Sequence, residues 1–181
     1  GKVYLEYEPK VAAIGAGLDI FKPSGNMVID MGGGTSDIAI LSLGDIVSSQ
    51  SVRMAGDKMN TDITEYIKAK HGLVIGEHSA EQIKIKLGTA LKVAEPKTMD
   101  VRGRDVATGM PRQIQINENG IEEALHDTLD QIVHAAIAVL ETVPPELASD
   151  IIDRGVMLTG GTALLHGIDQ LFSEKLKVPV V

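Results

Sequence analysis

The chain has 181 residues, 44% hydrophobic and 23% charged, which suits one good-sized domain or two small ones with a packed core, so disorder is not the default. A net charge of −8 argues against a nucleic-acid surface, which needs clustered Lys and Arg. With no cysteine, disulfides and thiolate metal sites are excluded, and the composition fits a reducing cytosol.

Taken in chain order, Glu8 to Gly17 reads as a helix, with Pro9 in its first turn and Gly15 and Gly17 at its end. Phe21 to Asn26 is a Pro/Gly/Ser connector. Met27 to Asp30 is a short apolar strand running into Gly32-Gly33-Gly34, and Ile38 to Leu41 is the next strand. Gly44-Asp45 offers a tight turn into a third strand, Ile46 to Val52, so the three form an antiparallel meander. From Asp57 the period becomes helical through Met59, Ile63, Tyr66 and Ile67, with Gly72 as the stop and Asp57 as an N-cap. Ser79 and Gln82 match a capping box for a helix ending near Leu87.

Met99–Val101 and Ile114–Ile116 alternate with polar residues and predict a hairpin with a long tip. Ile121, Leu125, Leu129, Ile132, Ala136, Val139 and Leu140 form the most regular apolar stripe. Pro144-Pro145 ends that helix and starts a short one through Ile152. Val156 to Leu158 reads as a buried strand, and Ala163 to Leu176 as a closing helix. Val178-Pro179-Val180-Val181 looks like the start of another strand, which suggests that the ends are cut. No stretch approaches the roughly 18–20 apolar residues of a membrane span, and no signal peptide is visible.

The strongest chemical signal is Asp30-Met31-Gly32-Gly33-Gly34-Thr35-Ser36-Asp37, set between two strands. Three glycines strip the turn of Cβ atoms, so its N–H groups are open to a phosphate, and Thr35 and Ser36 add hydroxyls. Asp30 and Asp37 would repel a bare phosphate, so their useful role is through Mg²⁺ and its waters. The same spacing also suits a glycine-rich hairpin with solvated aspartates. A second turn, Leu158-Thr159-Gly160-Gly161-Thr162-Ala163, links strand to helix, where bare backbone can contact an anion or nucleotide. A tight connection explains that turn equally well. Glu8 suits a helix dipole, Glu81 and Lys84 suit an i, i+3 ion pair, and the histidines show no metal spacing.

Glu8-Pro9 with Ala12-Ala13-Ile14-Gly15, then the Asp30–Asp37 loop, then Leu158-Thr159-Gly160-Gly161, resemble in order and spacing three motifs of the actin superfamily. They correspond to its first inter-domain helix, its second phosphate loop and its adenosine motif. Arg102-Gly103-Arg104-Asp105, Gly109-Met110-Pro111 and Pro144 to Gly155 are similar to the bacterial MreB family. The resemblance implies an α/β, actin-like ATPase (ribonuclease H-like) fold, of which this chain holds the second half. Residues 1–22 would be the inter-domain helix and connector, 23–54 with 117–181 the larger subdomain, and 55–116 a small α+β insertion.

The resemblance also assigns roles. Gly32, Gly33, Gly34 and Thr35 would cradle the β- and γ-phosphates of ATP. Asp30, with Asp37 nearby, would hold Mg²⁺ through water, and Glu8 would orient the attacking water. Glu81 and Lys84 would contact the ribose and adenine, and Gly160, Gly161 and Thr162 would line the adenosine pocket. Thr162 departs from the Gly or Ser usual there. The implied function is a cytoskeletal filament at the inner face of the membrane that directs cell-wall synthesis and maintains rod shape. Its partners would be further copies of itself, membrane-bound morphogenesis proteins and, through the missing first half, the membrane surface. The fragment alone would bind ATP poorly and turn over negligibly. A DnaK-type chaperone ATPase, a sugar kinase of the same superfamily and a non-hydrolysing scaffold are the alternatives.

Overall fold

In a computed structural model, which describes Val3 and residues 5–181, two sheets and six α-helices share one main core. The first sheet begins with β1 (Asn26–Met31), β2 (Ser36–Ser42) and β3 (Asp45–Val52), an antiparallel meander as the alternation predicts. The loop between β1 and β2 is closed by the Gly32 N–H donating to the Thr35 carbonyl at 3.0 Å. The turn between β2 and β3 is Leu43-Gly44, one residue earlier than expected. Both residues have positive φ, 54° and 80°, the geometry of a two-residue hairpin turn. Glycine is needed at position 44 for packing as well, because a Cβ there would lie 3.0 Å from the Phe21 ring.

Helix α1 (Glu8–Gly15) stops two residues before the expected Gly17. Gly17, at φ 81°, takes the left-handed position while Leu18 N–H returns to the Ala13 carbonyl, a Schellman-type ending. Its Ala13 packs with Ile20, Val28, Ala39 and Leu41 on one face of the sheet. The opposite face, from Met27, Ile29, Met31, Ile38 and Ile40, joins the large core. With both faces covered, β1 and β2 read as nearly continuous apolar runs although their side chains alternate in destination.

After β3 the chain forms α2 (Gly56–His71), β4 (Leu73–Val74), α3 (Glu77–Leu87), β5 (Thr98–Asp105) and β6 (Pro111–Asn117). Strands β4, β5 and β6 make the second sheet, with the β5–β6 hairpin as expected and the two-residue β4 unforeseen. Two expected caps are corrected. Ala55 holds the N-cap position of α2 and Asp57 is already helical, its N–H donating to the Gly33 carbonyl. Helix α3 starts at Glu77 with Gly76 at the N-cap, so Ser79 sits inside the first turn and forms no capping box; Glu77 meets the helix dipole there instead.

The apolar stripe becomes α4 (Glu118–Glu141), a 24-residue helix capped by the Asn117 side chain, which accepts the Gly120 N–H at 2.9 Å. It spans the core from α2 to the first sheet. Helix α5 (Pro145–Arg154) follows, and β7 (Val156–Thr159) returns to pair in parallel with β1, giving the order β3-β2-β1-β7. The expected closing helix is broken in two: a 3-10 turn at Gly161–Leu164, then α6 (Ile168–Leu176). The break comes where His166 leaves the helical path to bridge Thr89, its carbonyl accepting the Ala90 N–H at 2.8 Å. The terminal apolar residues make a bridge, Val180 to Val156, rather than a full strand.

Leu43 is exposed yet held left-handed, a conformation that costs an ordinary side chain about 1–2 kcal/mol and suits Asn. Leu43→Asn is therefore expected to raise unfolding stability by about 1 kcal/mol, read from the urea midpoint. A lowered midpoint would mean that this turn does not hold the hairpin.

Candidate functional site

The parallel pairing of β1 with β7 sets Asp30 opposite Thr159, so the two glycine-rich turns leave the sheet side by side. They pack closely. A Cβ on Gly160, which has φ 86°, would lie 2.3 Å from the Met31 carbonyl oxygen and 2.6 Å from Asp30 Oδ1. Only glycine fits that contact. In the Gly32–Thr35 turn, among the described residues, no protein acceptor takes the N–H of Gly33 or Gly34, and a Cβ on Gly34 would meet nothing within 4 Å.

Two clefts flank these turns. One, of about 470 Å³, is lined by Gly32, Gly33, Glu81, Lys84, Gly161 and Thr162. The other, of about 420 Å³, is lined by Glu8, Asp30 and Gly160, with Thr159 and with Val11, Ala12 and Gly15 on the outward face of α1. The structure thus brings the expected residues to one place but divides them between two sides of the paired turns. Gly34, Thr35 and Asp37 line neither cleft. Thr35 instead donates its hydroxyl to Asp37 Oδ2 at 2.8 Å.

On the first side Lys84 is more than half of a surface ion pair. Its Nζ reaches Glu81 Oε2 at 2.8 Å and the Gly56 carbonyl at 2.9 Å, and Asn60 Nδ2 donates to the same Glu81 oxygen at 2.7 Å. These bonds, Lys84 first and Asn60 second, hold the Glu81 carboxyl below its ordinary pKa of 4.5 and fix it as an acceptor at the cleft wall. Asn60 and Gly56 were missed in the sequence. Gly56 carried a signal: it is the first residue of a helix, where glycine costs stability, and a Cβ there would lie 3.2 Å from Lys84 Nζ. The α2 N-terminus does not offer its first amides to a ligand, since Gly56 and Asp57 donate theirs to the Gly32 and Gly33 carbonyls.

On the second side Asp30 and Asp37 face each other across the β1–β2 ladder, with no ion-pair partner among the described residues. Burial, then the Asp37 charge, push the Asp30 carboxyl above its ordinary 3.8. That is an environment a cation would relieve. No group of three His, Cys, Asp or Glu could hold a metal among the described residues, so a cation would need ligands from a phosphate and from water. His126 and His134 stand exposed beside Glu122 and Asp130 one turn earlier on α4.

With two apposed glycine turns, a half-buried carboxylate and a Lys–Glu wall in place, relatives can be judged against the geometry. A family model described as MreB/Mbl protein matches residues 1–181. The chain belongs to the MreB/Mbl family. It is 60% identical over 179 residues to the cell shape-determining protein Mbl of Bacillus cereus, covering 99% of this chain and 54% of that protein. MreB5 of Spiroplasma citri bound to AMPPNP superposes with a TM-score of 0.96 at 39% identity, covering 100% of this chain and 54% of that one. The MamK double helical filament has a TM-score of 0.74 at 19% identity over 96% of this chain and 53% of that one, a likeness of fold. The chain therefore has an actin-like fold and spans about half the length of the curated relatives it matches. Membership in this family sets aside the chaperone and sugar-kinase assignments.

The folded-state pKa of Asp30 lies above its unfolded value, so the stability its neutral form contributes is complete below about pH 3.8 and is lost as pH rises through the elevated value. Asp30→Asn is expected to raise the melting temperature of the ligand-free protein at neutral pH and to make no difference below that window. A lower melting temperature at neutral pH would show that the ionised carboxylate is stabilised by contacts other than those described.

Proposed function

We propose that this chain is the second half of a filament-forming actin-like ATPase whose intact form determines cell shape. The observation that carries the reading is the contact between the two glycine turns, with the phosphate-type turn on one strand and the adenosine-type turn on its parallel neighbour. The family match, and the AMPPNP-bound state of MreB5, support ATP as the ligand.

In this reading the unclaimed N–H groups of Gly33 and Gly34 bind phosphate oxygens, and the Thr35 hydroxyl joins them by exchanging its bond to Asp37 for one to phosphate. Glu81, held by Lys84 and Asn60, accepts from the ribose, while Gly161 and Thr162 wall the nucleoside. Mg²⁺, when bound, neutralises phosphate charge during transfer. Asp30 is the residue suited to hold it through water, with Asp37 adding negative field from the facing strand. Glu8 shares a cleft with Asp30 and positions a water for attack on the terminal phosphate, where orientation supplies much of the rate.

The first half of the intact protein completes the site, so the isolated chain hydrolyses ATP negligibly. Apolar Val11 and Ile14, exposed on α1, fit a surface that the first half covers. The larger subdomain is residues 23–54 with 117–181, and the inserted one 55–116. No helix among the described residues is long and apolar enough to cross a membrane. We assign the filament to the inner face of the cell membrane, reached through the first half and through membrane-bound morphogenesis proteins, where it directs cell-wall synthesis.

Gly161 tests the reading well, because a Cβ there meets no protein atom within 4 Å yet projects at the cleft wall. Gly161→Val in the intact protein is expected to change ligand-free stability by less than about 0.5 kcal/mol. It should weaken AMPPNP binding by about tenfold or more and abolish ATP-dependent sedimentation of filaments. Filaments and affinity that survive the substitution would contradict the assignment.

A further inference from the structure

The Gly32 carbonyl joins three parts of the first cleft: the phosphate-type turn, the start of α2 and the 3-10 turn. It accepts the Gly56 N–H at 3.1 Å and the Thr162 hydroxyl at 3.0 Å. Through Gly56 the connection continues, since the Gly56 carbonyl accepts Lys84 Nζ and Lys84 holds Glu81. Thr162 is buried in the 3-10 turn and lines the same cleft. Its hydroxyl is the one side-chain group among the described residues that ties the second glycine turn to the first.

A planar trans peptide fixes the consequence. When the Gly32 carbonyl is pinned toward Thr162 and α2, the N–H of Gly33 in the same peptide must point the opposite way. That N–H has no protein acceptor among the described residues. Glycine on both sides of this peptide leaves it free to rotate about its flanking bonds unless something holds it. The two donors to one carbonyl are that hold, and Gly56 alone supplies only one of them.

We propose that Thr162 is a positioning residue: its hydroxyl latches the adenosine turn onto the phosphate turn and sets the direction of the Gly33 N–H toward the phosphates. The inference rests on the nucleotide-site reading above and adds to it a residue that discriminates phosphorylated from unphosphorylated ligands. A glycine at this position could not form the latch.

The test compares ADP, AMPPNP and adenosine as competitors of a fluorescent ADP analogue on the intact protein. Thr162→Val keeps the shape of the side chain and removes the hydroxyl; Thr162→Ala removes it with less bulk, should the valine disturb folding; Thr162→Ser restores it. The latch predicts that valine and alanine each weaken ADP and AMPPNP about fivefold, the worth of one net hydrogen bond. Because Thr162 also lines the nucleoside cleft, adenosine reads out any direct contact; the loss for ADP and AMPPNP should exceed the loss for adenosine about fivefold, and serine should recover wild-type binding of all three. Equal losses for adenosine and ADP would overturn the latch, because Thr162 would then act by touching the nucleoside. Unchanged binding in both hydroxyl-free variants would overturn it as well. Absence of nucleotide binding by the wild-type protein would instead overturn the site itself, a failure distinct from that of the latch.

Discussion

The parallel pairing of β1 with β7 is the constraint on which the rest of the structure depends. Strands more than a hundred residues apart in sequence are joined through Met27 to Val156 and Asp30 to Thr159, and both then end in glycine. Parallel neighbours leave their turns at the same edge of a sheet, which antiparallel neighbours do not. In an open α/β arrangement that edge is where ligands collect. The glycines follow from this placement: Gly160 must lack a Cβ because the Met31 carbonyl is already there.

The price of this arrangement falls on Asp30. It is carried at the end of a buried strand, opposite Asp37 and without a basic partner among the described residues, so its charge is disfavoured in the ligand-free state. A stabler fold would place something neutral there. Strain of this kind is expected where binding, rather than folding, settles which residue is kept. The Lys84–Glu81–Asn60 group on the other side shows the reverse case. Its charges are matched and hydrogen-bonded, which fixes the wall, and what it costs is the buried Asn60 Oδ1, left without a partner among the described residues.

Much of this was legible in the sequence because the signals were local. The β1–β2 and β5–β6 hairpins, the α4 stripe and the Pro145 helix start all follow from alternation, period and proline chemistry within a few residues. The runs of glycine at strand ends led to both turns, and the i, i+3 spacing on a helix to the Lys84–Glu81 pair. What was not legible came from tertiary contacts. Ser79 could have capped α3, but the chain enters the helix earlier, at Gly76. The closing helix breaks because His166 bonds to the distant Thr89–Ala90 segment. Asn60 acts only through the Glu81 carboxylate that α3 brings to it, so nothing at its own position announced a site, and the glycine that opens α2 was the one hint at Gly56.

The division of the site into two clefts was equally invisible, since spacing along the chain says nothing about which side of a turn a residue faces. The most direct measurement of the account is a structure of the intact protein with AMPPNP and Mg²⁺. The account predicts the nucleoside beside Glu81, Lys84 and Thr162, with the phosphates crossing the paired turns on the Gly33 and Gly34 N–H groups toward Asp30 and Glu8. A nucleotide seated away from the contact between Gly32 and Gly160, or phosphates that touch neither turn, would contradict it.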